Sequence, residues 1–446
     1  MEWALKKFTF KGGIHPLHDR HEGKAPTEKK PVRAFVSDTV CIPMDMHLGA
    51  PSKPCVKKGD HVLMGQLIGE PVGGLGVPVH ASVSGTVLEV GRRQNMGAGL
   101  SECVTIQNDF ADEWVERKGL GNVETAPADQ IIPAIAAAGI CGMGGACFPT
   151  AAKLRIPDGQ TIDTILVNGA ECETFLTADH RLMLETPMRV VDGLRAAMRA
   201  TGVGRGIICI EDNKMDAVAA IKKAAYGREG VEVAVMRTKY PEGGEKQMIK
   251  AVTGREVPSG GLPMHAHVVV LNAATCAAIA DAVIDGKPLI ERITTVTGCV
   301  REPANLLLRV GTIFLDAIGE CGGYSEKPGK IFAGGSMCGA CAPDDTVPLG
   351  KGVNGIVVLN EKEAVPPETT ACIRCGRCVR ACPMGLNPYR LLNLCEAGNT
   401  AEAEKEHLLD CIFCGSCSYV CPARRWMTAA FKNTKDTIMA ARRAKK

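Results

Sequence analysis

The chain has 446 residues, a formal net charge of +3 and 23% charged residues. A single hydrophobic core does not grow to this length, so the sequence predicts three or four domains. The small net charge argues against a nucleic-acid-binding protein, and 21 cysteines in so long a chain do not fit a small secreted disulfide scaffold. Outside the two runs described below, the cysteines are expected to be reduced thiols of a reducing cytoplasm.

No membrane-spanning helix is predicted. The longest stretch without a charged residue, 131–152, contains Pro133, Pro149 and four glycines. It is therefore interpreted as a helix that ends in a loop. The first eight residues lack the apolar segment of a secretory signal, so no signal peptide is expected.

The N-terminal quarter of the chain predicts short strands. Residues 1–35 are polar and rich in turn signals, and an extended arm is predicted there. Residues 36–112 contain β-type runs punctuated by Gly and Pro. Two segments of sequence, 56–66 and 79–88, resemble the two halves of a biotinyl/lipoyl-type barrel-sandwich, with strands joined by Gly-Asp turns. The connecting stretch 69–78 has no lysine that could carry a cofactor, so a structural module is predicted.

The middle of the chain alternates between helices and strands. Across residues 113–285 the lengths are typical of a parallel α/β sheet. The predicted strands are 164–168, 206–211, 231–236 and 267–272, and the predicted helices are 131–138, 188–200, 217–225 and 274–285. Residues 286–360 return to short strands and turns, including 294–300 and 354–359, and predict a small α+β module.

Two cysteine runs form an internal repeat within residues 365–425. Each has the spacing C-x2-C-x2-C-x3-C-P, which bacterial ferredoxins use to bind [4Fe–4S] clusters. Three thiolates of one run hold one cluster, and the fourth ligates the other. A single C-x2-C would fit zinc or a redox dithiol equally well, but two complete runs favour one-electron transfer. The predicted ligands are Cys372, Cys375, Cys378 and Cys421 for the first cluster, and Cys411, Cys414, Cys417 and Cys382 for the second.

The last segment, 426–446, is predicted to be a basic helix. From Arg424 to Lys446 there are eight Lys or Arg residues and one Asp, with apolar residues between them. Such a helix can dock on a partner or on an anionic lipid surface, or it can lie solvated at the end of the chain.

Glycine-rich and acidic loops occur in the α/β region. The loop 139–153 can present backbone N–H groups to a phosphate, with Lys153 as the balancing charge, although it does not match the Rossmann G-x-G-x-x-G fingerprint. The acidic loop 168–173 follows a predicted strand, where open α/β sheets place ligands. The turn 240–246 combines glycine and acid again. Each loop alone is equally compatible with a solvated turn, but beside two cluster motifs they predict a flavin, which converts hydride transfer into one-electron steps.

Taken together, these motifs resemble the RnfC/RsxC family of the Rnf complexes, which are membrane-bound ferredoxin:NAD oxidoreductases. The resemblance covers nearly the whole chain, through 12–16, the barrel-sandwich phrases, 142–145, 168–173, 240–247 and both cysteine runs. The central part is also similar to the FMN subunit of respiratory complex I. The resemblance implies a multidomain α/β protein: an N-terminal β barrel-sandwich hybrid, a Rossmann-like parallel α/β domain over 113–285, a β-grasp module similar to SLBB domains over 286–360, and a C-terminal ferredoxin-like α-helical domain with two clusters.

The resemblance also implies the residues of a flavin site. Non-covalent FMN is expected to contact Gly142, Gly144, Gly145, Lys153 and Asn168, and its phosphate the turn with Asn272 and Thr275. The flavin and nicotinamide site is expected to be lined by Glu171, Glu173, Gly244 and Glu245. Glu173 and Glu245 are the candidate catalytic residues, because they would position the nicotinamide of NAD(H).

Several residues near this site depart from the complex I pattern. Met143 replaces an arginine, Cys147 a glycine and Thr174 a proline. Cys141, Cys147 and Cys172 are expected to be small apolar fillers. The isolated pair Cys338 and Cys341 is expected to be structural.

The function implied by the resemblance is that of a peripheral subunit on the cytoplasmic face of the membrane. It would exchange hydride between NAD(H) and FMN and pass single electrons through two clusters to or from the other Rnf subunits, which couple the flow to Na+ or H+ movement. Two alternatives stay open: a soluble flavin–iron–sulfur diaphorase or hydrogenase-type electron-input subunit, and a cluster relay without flavin.

Overall fold

The computed structural model describes residues 7–96 and 99–444, without the side chains of residues 18–20. The first six residues of the predicted arm, the pair 97–98 and the last two residues of the predicted basic helix lie outside the described part. Along the described chain, an arm leads into a β unit, an α/β unit, a second β unit and a helical unit.

Two facing antiparallel sheets form the first β unit. The first strand of the chain, β1 Val32–Phe35, belongs to the sheet of the second β unit, and the strands of this unit are β2 Thr39–Pro43, β3 Lys53–Pro54, β4 His61–Val62, β5 Leu67–Glu70, β6 Val79–His80, β7 Gly85–Gln94 and β8 Leu100–Asn108. One sheet has the order β2-β8-β7-β4 and the other the order β3-β5-β6. Ile42, Met44 and Ile68 are fully buried in the core of this unit. The alternation of buried and exposed positions lets each sheet bury one face, as expected for a barrel-sandwich.

The α/β unit contains a parallel sheet of order β11-β10-β9-β12. Its elements are α1 Ala128–Ala137, α2 Thr150–Leu154, β9 Thr164–Gly169, α3 Ala178–Glu185, α4 Pro187–Thr201, β10 Gly206–Glu211, α5 Met215–Ala224, β11 Val231–Met236, α6 Glu245–Thr253, β12 Val268–Asn272 and α7 Ala273–Asp285. The inner strands β9 and β10 are buried along almost their whole length because helices cover both faces of the sheet. Asn168 on β9 pairs in register with Asn272 on β12, so the loops that follow these strands leave the same edge of the sheet.

A close helix contact fixes the position of α7. Gly193 of α4 faces the carbonyl oxygen of Cys276 in α7, and a Cβ at this glycine would lie 1.7 Å from that oxygen. Only glycine allows the two helices to approach so closely. The contact therefore helps to set where the N-terminus of α7 lies above the sheet edge.

A six-stranded sheet of order β1-β14-β13-β17-β15-β16 forms the second β unit. Its further elements are β13 Glu291–Gly298, β14 Ala304–Arg309, α8 Phe314–Glu320, β15 Pro328–Ala333, β16 Ala340–Cys341 and β17 Gly355–Asn360. The sequence placed β1 in a separate extended arm, but β1 pairs in parallel with β14. Earlier in the arm, Phe8 bridges Met236 and Ile14 bridges Tyr240. The arm thus supplies hydrogen-bond partners to strand edges that would otherwise be unpaired.

The helical unit contains the two cysteine runs. A short helix, α9 Glu361–Ala364, still packs on β15 and β17 of the second β unit, and the helices of the helical unit are α10 Arg377–Ala381, α11 Pro388–Glu396, α12 Thr400–Lys405, α13 Ser416–Tyr419 and α14 Met427–Ala444. The predicted basic helix is α14, and its apolar side chains Met427, Phe431 and Ile438 are buried in the core of this unit. Most of the apolar face that a partner or lipid could have covered is therefore covered by the chain itself. Of the described helices, none is both long and hydrophobic enough to cross a bilayer.

Candidate cofactor sites

Each predicted set of four cysteines surrounds its own cavity. In both cases three members come from one run and the fourth from the other run. The first cavity is lined by Cys372, Cys375, Cys378 and Cys421, and the second by Cys382, Cys411, Cys414 and Cys417. The fold therefore brings together the sets that the ferredoxin spacing predicts, and their role as cluster ligands stays a prediction.

The two cysteine loops follow the same backbone course. Gly376 and Gly415 have φ angles of +70° and +77°, and they lead directly into α10 and α13. This left-handed step suits glycine and turns the flanking cysteines toward one centre. Among the described residues, no three Cys, His, Asp or Glu side chains converge on a point as ligands of a single metal ion would. A cubane spreads its irons over four corners, so a cavity ringed by four thiols fits that group.

The first cavity opens to solvent in a basic surface. Cys372 and Cys375 are exposed, and Ile373 between them is 69% exposed. The same turn carries three exposed arginines, none of which forms an ion pair with a described residue: Arg374, Arg377 and Arg380. An approaching molecule would therefore meet an apolar centre beside positive charges.

The second cavity lies against the α/β unit. Cys414 is buried, and its carbonyl oxygen lies 2.8 Å from the hydroxyl oxygen of Tyr240. The same hydroxyl lies 3.1 Å from Oε1 of Glu173, at the end of the acidic loop. Oε2 of Glu173 accepts a hydrogen bond of 3.2 Å from the backbone N–H of Met337 in the second β unit. Three units of the chain thus meet at Tyr240 and Glu173.

The hydrogen bonds at this junction constrain the protonation of Glu173. Tyr240 has a single hydroxyl proton, but two of its neighbours, the Cys414 carbonyl and an ionised Glu173, could only accept it. Burial raises the pKa of Glu173 above its ordinary value. A protonated Glu173 donates to Tyr240, and Tyr240 then donates to Cys414, so every group is satisfied. The geometry and the burial therefore both favour the protonated form of this carboxyl group.

The glycine-rich loop lies at the N-terminus of α7. The backbone N–H of Met143 donates to Oγ1 of Thr275 at 2.9 Å, and Gly144 lies against the side chain of Asn272. The Asn272 side chain caps α7 by accepting from the N–H of Thr275 at 3.2 Å. Gly145 has a φ angle of +119° and faces open space. The structure therefore brings the predicted glycine loop and the predicted phosphate turn together at a helix N-terminus.

The remaining predicted contacts link the glycine–acid turn to its neighbours. Nζ of Lys153 lies 2.9 Å from Oε1 of Glu245 and donates to the Val270 carbonyl at 2.7 Å. The Asn168 side chain donates to the carbonyl of Gly243 at 2.8 Å. Lys153, which the sequence offered as the balancing charge for a phosphate, is thus paired with Glu245, another predicted site residue. The adjacent Gly244 is the N-cap residue of α6.

Glu171 is held at the N-terminus of a helix. Its two carboxylate oxygens accept from the backbone N–H groups of Asp179 and His180 at 2.8 and 3.0 Å, and so they cap the N-terminus of α3. The sequence offered Glu171 as a lining residue of the flavin and nicotinamide site, and that role stays a prediction. Its carboxylate bonds to α3 because a buried carboxylate needs donors.

A buried lysine that sequence reasoning missed organises the acidic loop. Nζ of Lys24 in the arm donates to the carbonyls of Glu171, Glu173 and Leu176 at 2.9, 2.6 and 2.7 Å. Burial lowers the pKa of Lys24. The nearest partner is 147 residues away in sequence, so no local signal marks this lysine.

The three departures from the complex I pattern have different surroundings. Met143 is buried, and its carbonyl accepts a bond of 3.3 Å from Arg292. Cys147 has a φ angle of +48° and packs against Gly352, where an added Cβ would lie 2.1 Å from its Sγ. Thr174 is fully buried. None of these side chains lies within 4 Å of the point where a Cβ at Gly145 would stand, so the space beside that glycine stays open.

The other cysteines fit a structural reading. Sγ of Cys172 accepts from the N–H of Gly243 at 3.3 Å, and burial raises its pKa well above the usual thiol value. Cys338 lies 2.8 Å from the Tyr240 hydroxyl, and burial raises its pKa too. Cys341 lies in β16. Thiols with raised pKa values are poor nucleophiles, which agrees with the predicted filler role of Cys172, whereas the hydrogen bond to Cys141 lowers the pKa of Cys147.

Four family models match successive parts of the chain. They are the RnfC barrel sandwich hybrid domain at 8–111, the Nuo51 FMN-binding domain at 135–281, the SLBB domain at 293–340 and the 4Fe-4S dicluster domain at 371–424. These matches confirm the predicted fold class. They also associate the glycine loop with an FMN-binding domain and the cysteine runs with a 4Fe-4S domain.

Curated relatives match over most of their length. The chain is 44% identical to the RnfC protein of the Na+-translocating ferredoxin:NAD+ oxidoreductase complex of Acetobacterium woodii, over 98% of this chain and 99% of that one. It is 44% identical to the corresponding protein of the proton-translocating ferredoxin:NAD+ oxidoreductase complex of Clostridium ljungdahlii, over 90% and 88%. The chain belongs to the RnfC family. A further member, from the ion-translocating oxidoreductase complex of Rhodobacter capsulatus, is 40% identical over 91% of this chain and 78% of its own.

Part of the fold also occurs outside the RnfC family. The H2-reduced crystal structure of an NAD+-reducing [NiFe]-hydrogenase aligns with a TM-score of 0.50 at 18% identity, over 72% of this chain and 63% of the hydrogenase chain. At this identity the similarity concerns the fold alone.

Proposed function

We propose that this chain exchanges hydride between NAD(H) and FMN and relays single electrons through two [4Fe–4S] clusters, as a peripheral component on the cytoplasmic face of an ion-translocating ferredoxin:NAD+ oxidoreductase. One contact carries the proposal. The Tyr240 hydroxyl joins Glu173 of the acidic loop to the backbone of Cys414, a predicted cluster ligand. A bound flavin supplies the conversion between hydride and single electrons. The relatives are named as subunits of complexes that translocate Na+ or protons, and this supports the coupling to ion movement.

The residues around the glycine loop fit FMN. A helix N-terminus favours a phosphate, and α7 offers one beside Gly144 and Gly145. A side chain at position 145 would enter the open space that the loop borders, and a long side chain at position 144 would run into Asn272. Asn168 and Gly243 hold the neighbouring loops together on the same sheet edge. In this proposal the glycine loop and α7 hold the phosphate end of the cofactor.

The candidate catalytic carboxylates act by position and charge. Glu245 is fixed by its ion pair with Lys153, so it can orient a polar group such as a carboxamide without moving. Glu173 is hydrogen-bonded to Tyr240 beside the cluster loop, and burial favours its protonated, uncharged form by raising its pKa. A neutral group there avoids repelling electrons that pass toward Cys414.

The surroundings of the two cavities support an order of electron transfer. The second cavity touches the α/β unit through Tyr240, whereas the first cavity opens to solvent beside Arg374 and Arg377, with the exposed Arg380 one helical turn further along α10. We therefore place the second cluster next to the flavin and the first cluster at the surface. The basic, partly apolar rim suits an acidic protein that carries a one-electron cofactor.

The proposal is tested on the full chain, reconstituted anaerobically with iron, sulfide and FMN. About eight irons and one FMN per chain, with flavin and cluster absorbance that bleach on NADH addition, are expected from two four-iron clusters. Gly144→Val should lower the FMN content while the iron content stays unchanged. Gly319→Ala in α8, which has open space around it, is the matched control.

The alternatives predict different results in the same assay. Eight irons without FMN, and no response to NADH, would reduce the chain to a cluster relay. Full activity with soluble acceptors, together with no association with membrane subunits, would favour the soluble diaphorase.

A further inference from the structure

Two cysteines stand at the base of the glycine-rich loop, and neither belongs to the two cysteine runs. Backbone hydrogen bonds of 2.8 and 3.1 Å pair residues 140–142 with residues 148–150 as a short antiparallel stem. Cys141 lies opposite Pro149 in this stem, and Cys147 comes two positions before Pro149. The two cysteines are therefore diagonal neighbours at the point where the stem meets the loop.

The two thiol groups are hydrogen-bonded to each other. Cys141 is fully buried, whereas Cys147 is partly exposed and follows the exposed residue Ala146. The backbone of Cys147 is held from outside the loop, because its carbonyl accepts from the N–H of Leu48 at 3.0 Å. The pair thus has one thiol that a dissolved reagent can reach and one that only its partner can reach.

A buried lysine lies beside this pair. Lys351 is 1% exposed, and its Nζ donates to the carbonyls of Gly139 at 2.7 Å and Pro78 at 3.0 Å. Among the described residues it forms no ion pair, and the groups that favour its charged form are the thiols of Cys141 and Cys147. Burial lowers the pKa of Lys351 to about 8. A thiolate in the pair would supply the opposite charge that this buried lysine lacks.

The two thiols differ in reactivity. The hydrogen bond from Cys141 and the charges of Arg292 and Lys351 lower the pKa of Cys147. The same hydrogen bond and burial raise the pKa of Cys141 well above the ordinary thiol value. Because the thiolate is the nucleophile, Cys147 is the member that reacts first. A partly exposed thiol of lowered pKa beside a second thiol is the arrangement of a redox-active cysteine pair.

We propose that Cys141 and Cys147 form a reversible disulfide by exchange with a small dissolved disulfide such as glutathione disulfide. The Cys147 thiolate attacks one sulfur of the reagent, the S–S bond of the reagent breaks, and one small thiol leaves with the proton that Cys147 released. Cys141 then attacks Sγ of Cys147, and its proton goes to the second small thiol. Two protein thiols are oxidised, and one small disulfide is reduced to two thiols.

The disulfide closes a ring over residues 141–147, which contain the three glycines predicted to contact FMN. Its formation does not require that a flavin binds there, so it is independent of the proposed function.

The test is a mass measurement on the full chain, reconstituted anaerobically with iron and sulfide. The chain is incubated with glutathione disulfide in excess over glutathione, unfolded in the presence of N-ethylmaleimide and digested with trypsin. Residues 119–153 contain no Lys or Arg before Lys153, and their only cysteines are Cys141 and Cys147, so one tryptic peptide reports the pair. This peptide should carry no label and weigh two hydrogens less than the reduced peptide. Dithiothreitol should restore two labelled thiols.

Two variants identify the attacking thiol. In Cys141→Ser, Cys147 should keep one glutathione as a mixed disulfide, because no second thiol displaces it. In Cys147→Ser, Cys141 should remain a free thiol, because it is fully buried. Cys276, which is fully buried in α7, is the matched control and should take up the label in every sample.

Three results on the unaltered chain would each overturn the proposal: two labels on the peptide, a retained glutathione, or a crosslink to a third cysteine. Glutathione on Cys141 of the Cys147→Ser variant would overturn the order of attack. Iron content is measured for every variant, so that a folding defect is recognised, and the unaltered chain decides the proposal without the variants. A chain that forms the disulfide but binds no FMN would contradict the proposed function alone.

Discussion

The two cysteine loops share a backbone but have opposite surroundings. Arg374 and Phe413 occupy the same place in the repeat and both have a φ angle of 55°. The three arginines of the first loop correspond to Phe413, Ser416 and Tyr419 in the second. Where the repeat has arginine, the loop stays in solvent, because a strongly hydrated charge is not buried without a partner.

The second loop is instead joined to the rest of the chain. The Phe413 ring lies under Nζ of Lys435 at 4.9 Å, and Ser416 is fully buried. The Tyr419 hydroxyl accepts from the N–H of Leu17 in the arm at 3.0 Å. Cysteine and glycine thus set the loop, and the residues between them decide whether it faces inward or outward.

Removing one ligand from each loop gives the largest expected effect. In Cys414→Ser, the cluster nearest the flavin should be lost, so NADH should no longer reduce the first cluster. In Cys375→Ser, NADH should still reduce the second cluster, and only transfer to a protein acceptor should stop. Iron analysis and low-temperature EPR measure both, with Cys55→Ser as the control. The opposite pattern would reverse the order of the clusters.

Replacing the three arginines with glutamine should come next in size. The KM for an acidic two-cluster ferredoxin should rise about tenfold, and its dependence on salt should weaken, since opposite charges mainly speed association. The control is Lys222→Gln with Lys223→Gln, two exposed lysines of α5. If the KM and its salt dependence were both unchanged, the three arginines would not be the surface that attracts the acidic partner.

Tyr240→Phe tests how strongly the Tyr240 hydroxyl joins the second cysteine loop to the α/β unit. The change leaves the buried carbonyl of Cys414 and the carboxyl of Glu173 without their shared partner, which should cost about 1–3 kcal/mol of unfolding free energy. Urea titration followed by cluster absorbance measures the loss. Tyr226→Phe, at a side chain that is 91% exposed, should behave as wild type.

The smallest effect concerns pH. The folded pKa of Glu173 is raised above its ordinary 4.5, so the native chain holds a proton that the unfolded chain has released. The stabilising contribution is complete below pH 4.5 and is lost as the pH rises through the folded pKa. Glu173→Gln should therefore flatten the pH dependence of the urea midpoint over this window. Glu116→Gln, at an exposed carboxyl, should not change it.

Much of the fold could be predicted because local patterns determine it. The strands 206–211 and 231–236 have the predicted bounds, since short apolar runs bounded by turn signals limit where a buried strand can lie. The pairing of Cys382 with the second cavity followed from the ferredoxin spacing alone. These features depend on residues that are close in sequence or on a spacing with known chemistry.

The rest depends on residues that are far apart in the chain. Nothing near Lys24 indicates the carbonyl of Glu171, which is 147 residues away, and nothing near Tyr240 indicates the Cys414 carbonyl, which is 174 residues away. Glu171 is a predicted site residue because acidic loops after strands often bind ligands, and no sequence signal indicates that its carboxylate also caps α3. A local sequence pattern identifies the chemistry of a side chain, but it does not identify the distant residue that the side chain contacts.

The N-terminal arm has a consequence for how the chain is made. The N–H of Gly13 donates to the carbonyl of Ala381, and Lys24 needs carbonyls of residues 171–176. At roughly 5–20 residues per second, the ribosome finishes the partner of Gly13 on the order of 20–70 s after Gly13 itself. The first segment to be synthesised is therefore among the last to dock. Ala381 lies within the first cysteine run. Iron–sulfur assembly on the two cysteine loops can therefore take place before the arm closes over them.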